Sequence, residues 1–299
     1  MFALLIAALL PAATPAFAAD LVVDAASGFI VEATINGHPV RLRVDPEASG
    51  YVLLNPATVE RIGLRRSMLG SRTQIGPVRL TGSSKVAELS IGGVTGDRRM
   101  VWLTDRVAIA DADGLIGPAD MHYDRVTFNL GPAQAGEGAF AVAMEFERSS
   151  GLFFPLTMGD HDVCFQFTLT KADTMATAGA GAHLAALNGG AWAGEAREQI
   201  IDFGVVRPVR ALTLARPVSL GGLHLSSLLV RTGDNRGNLA LPPEPDADPE
   251  EVVVTGASRQ RARFNVTIGR DRLGQCSSLV WDNRAKRMIL NCPNPPATP

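Results

Sequence analysis

The stretch VRLRVDPEASGYVLLN, residues 40–55, is an alternating apolar run that stops at an acid. Asp45 ends the run, Pro46 and Glu47 follow it, and the small pair Ala48-Ser49 comes next. A carboxylate at the end of a buried strand can take part in acid–base chemistry, or it can simply accept hydrogen bonds from the turn. The residues of this stretch alone leave both interpretations open.

Two of the three cysteines are spaced for a disulfide. Cys276 and Cys292 bracket CSSLVWDNRAKRMILNC, which predicts a hairpin about residues 283–285. The predicted cross-strand pairs are Val280 with Met288, Ser278 with Leu290, and Cys276 with Cys292. Side chains repeat every two residues along a strand, so all six are expected on one face. A disulfide in this place suits an oxidising compartment.

The remaining candidate metal ligands form no recognisable pattern. Cys164 is left over and is predicted to be buried as a small apolar residue. The sequence contains no C-x-x-C, and its five histidines are scattered without the spacing of metal ligands. The sequence therefore predicts no metal site and no cofactor.

Composition and the first residues indicate an exported protein. The chain has 299 residues with 28 basic and 30 acidic side chains, which predicts two domains and no nucleic-acid partner. Residues 1–19 are typical of a signal peptide, with an A-x-A site at Ala16-Phe17-Ala18 and cleavage after Ala18 or Ala19. No later segment reaches about 18 apolar residues, so we expect no membrane span after cleavage. The predicted location is periplasmic or secreted.

Short alternating strands predict an all-β fold with few helices. GFIVEATINGHPVRLRV is typical of two strands joined through Asn36-Gly37, a dipeptide that tolerates positive φ. NPATVERIGL predicts a short helix with Asn55 as N-cap, Pro56 at its first position and Gly63 at its end.

The chain also repeats itself. Residues 85–105 align without a gap with residues 214–234, and S-[I/L]-G-G recurs in both. Downstream, an apolar-apolar-Gly is followed by a predicted hairpin in each copy. The boundaries are a first lobe at 20–148 and a second at 151–293, the latter with a Pro- and acid-rich insert at 241–263. Duplication predicts two pseudo-symmetric halves with a site between them.

This order of parts resembles the retropepsin-like aspartic peptidases, most closely the bacterial exported families. The parts are INGHPVRLRVD, the D-x-x-A-S turn, the helix, a flap-like hairpin, LSIGG and ADGLIGPADM. ADGLIG, residues 112–117, is the most specific match. The resemblance covers nearly the whole mature chain in two copies. It implies two β-barrel lobes that meet at a groove, a monomer, and Asp45 at the position of the family's catalytic aspartate.

The resemblance also implies a pair of carboxylates that share a proton and activate water. The family motif is Asp-Thr/Ser-Gly-Ala/Thr, and its glycine and hydroxyl support the carboxylate. Here Pro46 supplies neither a hydroxyl nor an N–H, and Glu47 replaces the glycine with a third negative charge. Ser49 keeps a hydroxyl in the loop and is a candidate substrate-binding residue.

The second acid can be placed in two ways. The apolar residues of DVCFQFTL alternate up to Leu169, and a strand that ends there puts Thr168 or Thr170 at the acid position. A shift of a few residues instead gives Asp173-Thr174-Met175-Ala176-Thr177, which repeats D-x-x-A-[S/T]. Asp173 is then the second catalytic acid and Thr174 a candidate substrate-binding residue. The sequence permits both alignments.

Two functions compete. The favoured hypothesis is a pair of lobes that binds extended peptide or a protein partner in the groove, under a flap with Gly76-Pro77 at its tip, with impaired peptidase activity. The alternative is an active endopeptidase in which Asp45 and Asp173 activate water. Pairing of two Asp45 residues in a homodimer is a third possibility, which the internal duplication disfavours.

Overall fold

A computed structural model describes residues 18–68, 70–233 and 263–294. The predicted signal peptide and the insert at 241–263 therefore lie almost wholly outside the described residues. None of the helices in the described ranges is long and apolar enough to cross a bilayer.

Strands dominate the described residues, as predicted. The first ten are β1 (Ala18–Asp24), β2 (Ile30–Ile35), β3 (His38–Val44), β4 (Val52–Leu54), β5 (Gly70–Ile75), β6 (Val78–Ile91), β7 (Val94–Leu103), β8 (Gly114–Ile116), β9 (Tyr123–Asn129) and β10 (Glu137–Ala143). The next ten are β11 (Glu145–Glu147), β12 (Gly151–Met158), β13 (His161–Phe167), β14 (Met175–Ala176), β15 (Gly190–Ile200), β16 (Val206–Leu220), β17 (Leu223–Arg231), β18 (Asn265–Ile268), β19 (Ser278–Asp282) and β20 (Arg287–Pro293). The helices are α1 (Pro56–Arg61), α2 (Ala178–Asn188) and α3 (Arg270–Leu273), with 3-10 turns at Ala25–Ser27 and Pro118–Asp120. The fold class is all-β with few short helices.

The predicted local signals produce the elements of the first lobe. Asn36 and Gly37 adopt φ of 48° and 81°, the left-handed backbone that a two-residue hairpin between β2 and β3 requires. Asn55 precedes α1, but its side chain does not cap the helix. It instead donates to Ile109 O and Ala112 O and accepts from Ala108 N–H, so it ties the start of α1 to the loop before β8.

The first lobe is a closed barrel. Its strands run in the order β2-β3-β8-β4-β7-β6, and pairing of β2 with β6 closes the ring. In β3 the buried residues are Val40, Leu42 and Val44, the alternation expected of a strand with one face in the core. β5 pairs only with β6, so the long β5–β6 hairpin extends beyond the barrel.

The strands of the second lobe form an eight-stranded sheet together with β11, in the order β11-β12-β13-β18-β14-β17-β16-β15, and its central pairings repeat those of the first lobe. β18 lies parallel to β13 and antiparallel to β14, and β14 lies parallel to β17. The first lobe has the same three pairings, with β8 between β3 and β4, and with β4 beside β7. The pairing of β2 with β6 that closes the first lobe has no counterpart between β12 and β16 among the described residues, so the two halves share these three pairings and not the closed barrel.

A five-stranded sheet, β1-β9-β19-β20-β10, joins the two lobes. At its centre β9 of the first lobe pairs antiparallel with β19 of the second. Phe128 and Trp281 on these strands are almost completely buried in one apolar core that continues through both lobes. The prediction of a hairpin after Gly117 is wrong, because β10 pairs with β20 and leaves β9 to pair with β1 and β19.

The predicted disulfide is present, but the predicted register around it is wrong by one residue. Cys276 and Cys292 are bonded, with Cα atoms 4.0 Å apart. In the hairpin of β19 and β20, Val280 lies opposite Ile289 and Ser278 opposite Asn291. The turn takes one residue more than predicted, which leaves Leu279 and Trp281 on the buried face. Cys164 remains free and is only partly buried, not buried as predicted.

Removal of the disulfide should lower the free energy of unfolding by about 3 kcal/mol, because the bond closes a chain segment of 16 residues. Urea unfolding of the double variant Cys276→Ala/Cys292→Ala measures this loss. Cys164→Ala is the matched control and should change stability by clearly less. Equal stability of the double variant and the wild type would contradict the prediction.

Candidate active site

The two loops that meet between the lobes occupy equivalent places in the two folds. Asp45 is the first residue after β3, and its N–H donates to Ile116 O at 3.0 Å. Thr168 is the first residue after β13, and its N–H donates to Ile268 O at 3.0 Å. In each lobe, the first residue of the loop therefore donates a backbone hydrogen bond to the strand that runs parallel to the strand before the loop.

The loops also have equal length, so they can be aligned residue by residue. Asp45 and Thr168 are separated by 123 positions, and the same offset relates Val52 at the start of β4 to Met175 at the start of β14. Thr168 therefore stands where the first lobe has Asp45. Asp173 falls at the position of Gly50, which corrects the alignment that made it the counterpart of Asp45.

The Asp45 carboxylate is buried against the second lobe. The residue is 1% exposed. Its Oδ1 accepts from Glu47 N–H at 2.8 Å within its own loop. Its Oδ2 accepts from Leu169 N–H and Thr170 N–H, both at 2.8 Å, and from the Thr168 hydroxyl at 3.1 Å. Four donors surround this carboxylate, and three of them come from the other lobe.

These hydrogen bonds do not fully offset the cost of burial. The net pKa of Asp45 is raised from its ordinary 3.8 to about 6, mainly because burial removes the carboxyl from water and secondly because the charge of Glu47 repels the anion. The N–H groups of Glu47 and Leu169 and the charge of Lys171 lower it in part. When Asp45 is protonated, the Thr168 hydroxyl can accept a hydrogen bond from the carboxylic acid and donate its own hydrogen to Thr170 Oγ1, 3.1 Å away.

Glu47 is balanced by a cation from the second lobe. Lys171 Nζ lies 2.7 Å from Glu47 Oε1 and 3.1 Å from Asp202 Oδ1. Burial alone would lower the pKa of Lys171, but the charges of Asp202 and Glu47 outweigh it and raise the pKa above its usual range. Thr267 on β18 adds a hydrogen bond to Glu47 Oε1 at 3.3 Å. An ion pair thus crosses between the lobes next to Asp45.

The other predicted site residues lie in different surroundings. The Asp173 carboxylate accepts from Gln199 Nε2 at 2.9 Å and lies 3.5 Å from Arg197 Nη2, both on β15. Thr174 donates to Asp271 Oδ1 at 2.7 Å and accepts from Gly269 N–H, so it supports the second lobe's own turn. Ser49 is half-buried in the first loop. The structure brings Asp45 together with Thr168 and Lys171.

A hairpin from each lobe extends toward the loops. We call them the first flap, β5–β6 with Gly76-Pro77 at its tip, and the second flap, β15–β16 with residues 201–205 at its tip. Gly76 has φ of 55°, as a tight hairpin turn requires. The predicted flap and its tip are therefore present as a hairpin, and Asp202 in the tip of the second flap is the partner of Lys171.

The tips of the two flaps pack against each other. They share a small apolar cluster, separate from the main core, which we call the flap cluster. Its buried members are Ile75, Leu80, Leu103, Met175, Ile201, Val205 and Val209, and Val78, Phe203 and Leu229 pack against them. Because both flaps contribute, this cluster joins the tips of the two flaps in the described structure.

Sequence reasoning missed Lys171 as a site residue. It focused on acids, and Lys171 stands where the first lobe has Ala48. The available signal was the equal length of the two loops between the strand ends at Val44 and Phe167 and the apolar residues Val52 and Met175. Aligning the copies on their strands, without a shift, predicts Thr168 opposite Asp45 and Lys171 beside Glu47.

Comparison with known protein families gives a match within the first lobe. Residues 31–118 match the family model described as aspartyl protease. The matched range runs from β2 to the 3-10 turn at Pro118–Asp120 and contains Asp45. No curated protein matches the chain.

The buried carboxyl of Asp45 makes stability depend on pH. Its pKa is higher in the folded than in the unfolded chain, so the fold favours the protonated form, and ionisation costs free energy. Between about pH 3 and pH 7 the free energy of unfolding of the wild type should fall by about 3 kcal/mol relative to Asp45→Asn, which does not titrate. Urea unfolding at several pH values measures the difference.

The matched control is Asp97→Asn, a substitution of an exposed aspartate on β7. Its stability should follow that of the wild type across the same pH range. A constant difference between wild type and Asp45→Asn from about pH 3 to pH 7 would show that Asp45 titrates normally.

Proposed function

We propose that this protein is an exported member of the retropepsin-like aspartic protease family that binds extended peptides between its lobes and has impaired peptidase activity. The match of residues 31–118 to the aspartyl protease family model supports the family. The observation that carries the proposal is Thr168 at the position equivalent to Asp45. Peptide hydrolysis by this family's chemistry needs one carboxylate as base while the other is protonated. A threonine hydroxyl cannot take over either role near neutral pH.

The environment of Asp45 supports the same proposal. A catalytic base must reach the water that it deprotonates. The Asp45 oxygens are occupied by donors from Glu47, Thr168, Leu169 and Thr170 and are shielded from solvent. This carboxylate serves as an anchor between the two loops.

Peptide binding rests on the flaps. β5 and β15 are edge strands of their sheets among the described residues. An edge strand offers unpaired N–H and C=O groups, which an extended peptide can pair with as an added strand. The flap cluster must separate before a peptide can enter, so the closed state competes with the ligand for the groove.

The alternative, an active endopeptidase that uses Asp45 and Asp173, is tested with a mixed peptide library between about pH 3 and pH 7. We expect no cleavage products from the wild type by mass spectrometry. In Thr168→Asp, a second carboxylate beside Asp45 should give cleavage at acid pH that Asp45→Asn abolishes. Cleavage by the wild type that both Asp45→Asn and Asp173→Asn eliminate would refute impairment and support the alternative.

Opening of the flaps should control peptide affinity. Ile201 is 7% exposed in the flap cluster, and Ile201→Ser removes apolar contacts worth about 2 kcal/mol, which should raise the open fraction. Peptide binding, measured by fluorescence polarisation, should then tighten by about tenfold. Ile200→Ser is the matched control, since Ile200 is 66% exposed. Equal peptide affinity of Ile201→Ser and Ile200→Ser would show that opening of the flaps does not control peptide binding.

A further inference from the structure

We propose that Asp160, His161 and His183 form a binding site for a divalent transition-metal ion, of which Zn²⁺ is the best candidate. The site lies in the second lobe, where the turn between β12 and β13 meets α2. It is independent of the inter-lobe loops and of the proposed peptide binding.

The three side chains already face one another. Asp160 Oδ2 lies 3.7 Å from His161 Nε2, and Asp160 Oδ1 lies 3.9 Å from His183 Nδ1. One ligand atom from each residue can be chosen so that all three lie within 4.8 Å of one another. Zn²⁺ binds nitrogen and oxygen ligands at about 2.0–2.2 Å. Asp160 is 82% exposed, so a small side-chain movement can bring its carboxylate to the ion.

His183 has the arrangement of a metal-ligating histidine. Its Nε2 lies 2.6 Å from Met158 O, and only a protonated Nε2 can donate to that carbonyl. In the neutral ring this hydrogen bond leaves Nδ1 as the unprotonated nitrogen on the side of Asp160. Metal-bound histidines characteristically donate their second ring nitrogen to a carbonyl or carboxylate, which fixes the ring for binding. The side chain of His183 is only 10% exposed, so its position is set by packing.

The surrounding residues hold the ligands in place. Gly159 adopts φ of 62° in the turn that carries Asp160 and His161. Phe264 stacks on the His161 ring, with centroids 4.3 Å apart, and packs edge-on against His183. Thr177 accepts from Ala180 N–H and so caps the helix that carries His183. The two imidazoles are therefore positioned before any ion binds.

The ligand set selects the kind of ion. Two neutral imidazoles and one carboxylate suit Zn²⁺, Cu²⁺ or Ni²⁺ and suit Ca²⁺ or Mg²⁺ poorly, because the latter prefer oxygen ligands. Three protein ligands leave one position of a tetrahedral Zn²⁺ for water or an external ligand. The ion would link the β12–β13 turn to α2.

The prediction that the sequence holds no metal site rested on ligand spacing along the chain. His161 directly follows Asp160 at the turn between β12 and β13, whereas His183 lies on α2, which begins only after the loop at residues 168–174. The first lobe lacks this set. At the offset that relates the two loops, it has Gly37, His38 and Glu60 in place of the three residues.

The test is a titration of the untagged mature chain with Zn²⁺ and no other ligand, measured by isothermal titration calorimetry. Wild type should bind one Zn²⁺ per chain at this site. Asp160→Asn and His183→Ala should each weaken its binding on the order of tenfold or more. Co²⁺ in place of Zn²⁺ should give visible absorption bands typical of tetrahedral coordination in the wild type and not in His183→Ala.

Two controls separate this site from other ligands. His38→Ala removes the exposed histidine at the equivalent place of the first lobe and should leave Zn²⁺ binding unchanged. Cys164→Ser should do the same, because Cys164 lies an odd number of residues from His161 on β13 and faces the other side of the sheet. Since His183 is largely buried, the exposed Asp160 provides the variant that is expected to fold. Absence of saturable binding by the wild type at millimolar Zn²⁺, or wild-type affinity in Asp160→Asn and His183→Ala, would overturn the proposal.

Discussion

The arrangement between the lobes depends on one buried carboxylate. Asp45 belongs to the first lobe, yet three of its four hydrogen-bond donors belong to the second. Burial of a carboxylate is costly unless its lone pairs are satisfied, so the loop from Thr168 to Thr170 must lie where it does. The raised pKa shows that the cost is still not fully offset. The central β9–β19 pair and the shared apolar core hold the lobes together around it.

Much of this architecture could be predicted from sequence because it rests on local patterns. The Asn36-Gly37 turn, the flap tip at Gly76-Pro77 and the duplicated S-[I/L]-G-G each lie at the turn of a hairpin. The disulfide was also predictable, since a hairpin between Cys276 and Cys292 brings them together in either register. The register itself depended on how many residues the turn uses. Lys286 with φ of 51° is the additional turn residue.

The second acid was harder to place because two criteria conflicted. Matching residue types favoured Asp173, whereas matching strand ends favoured Thr168. The backbone pairing of β13 with β18 decides which residue stands opposite Asp45 in the fold. In the sequence, the alternating apolar residues up to Phe167 indicate where that paired strand ends. The pairing of the two flap tips and the meeting of Asp160 with His183 depend on contacts between distant segments. No periodicity in a single sequence records such contacts.

The departures of the two loops from the Asp-Thr/Ser-Gly-Ala/Thr motif compensate each other. Glu47 in place of glycine puts an acid beside the buried Asp45, and with Asp202 it would create three neighbouring carboxylates and no cation. Lys171 supplies that cation from the equivalent loop of the second lobe. Removing Lys171 alone would leave Glu47 repelling Asp45 without a counter-charge, and removing Glu47 alone would take away one of the two acids that keep Lys171 charged. The loss of an acid at Thr168 fits the same balance, because another carboxylate there would add negative charge against Asp45. The two loops therefore form one electrostatic unit, and a change in either affects the charge balance of the other.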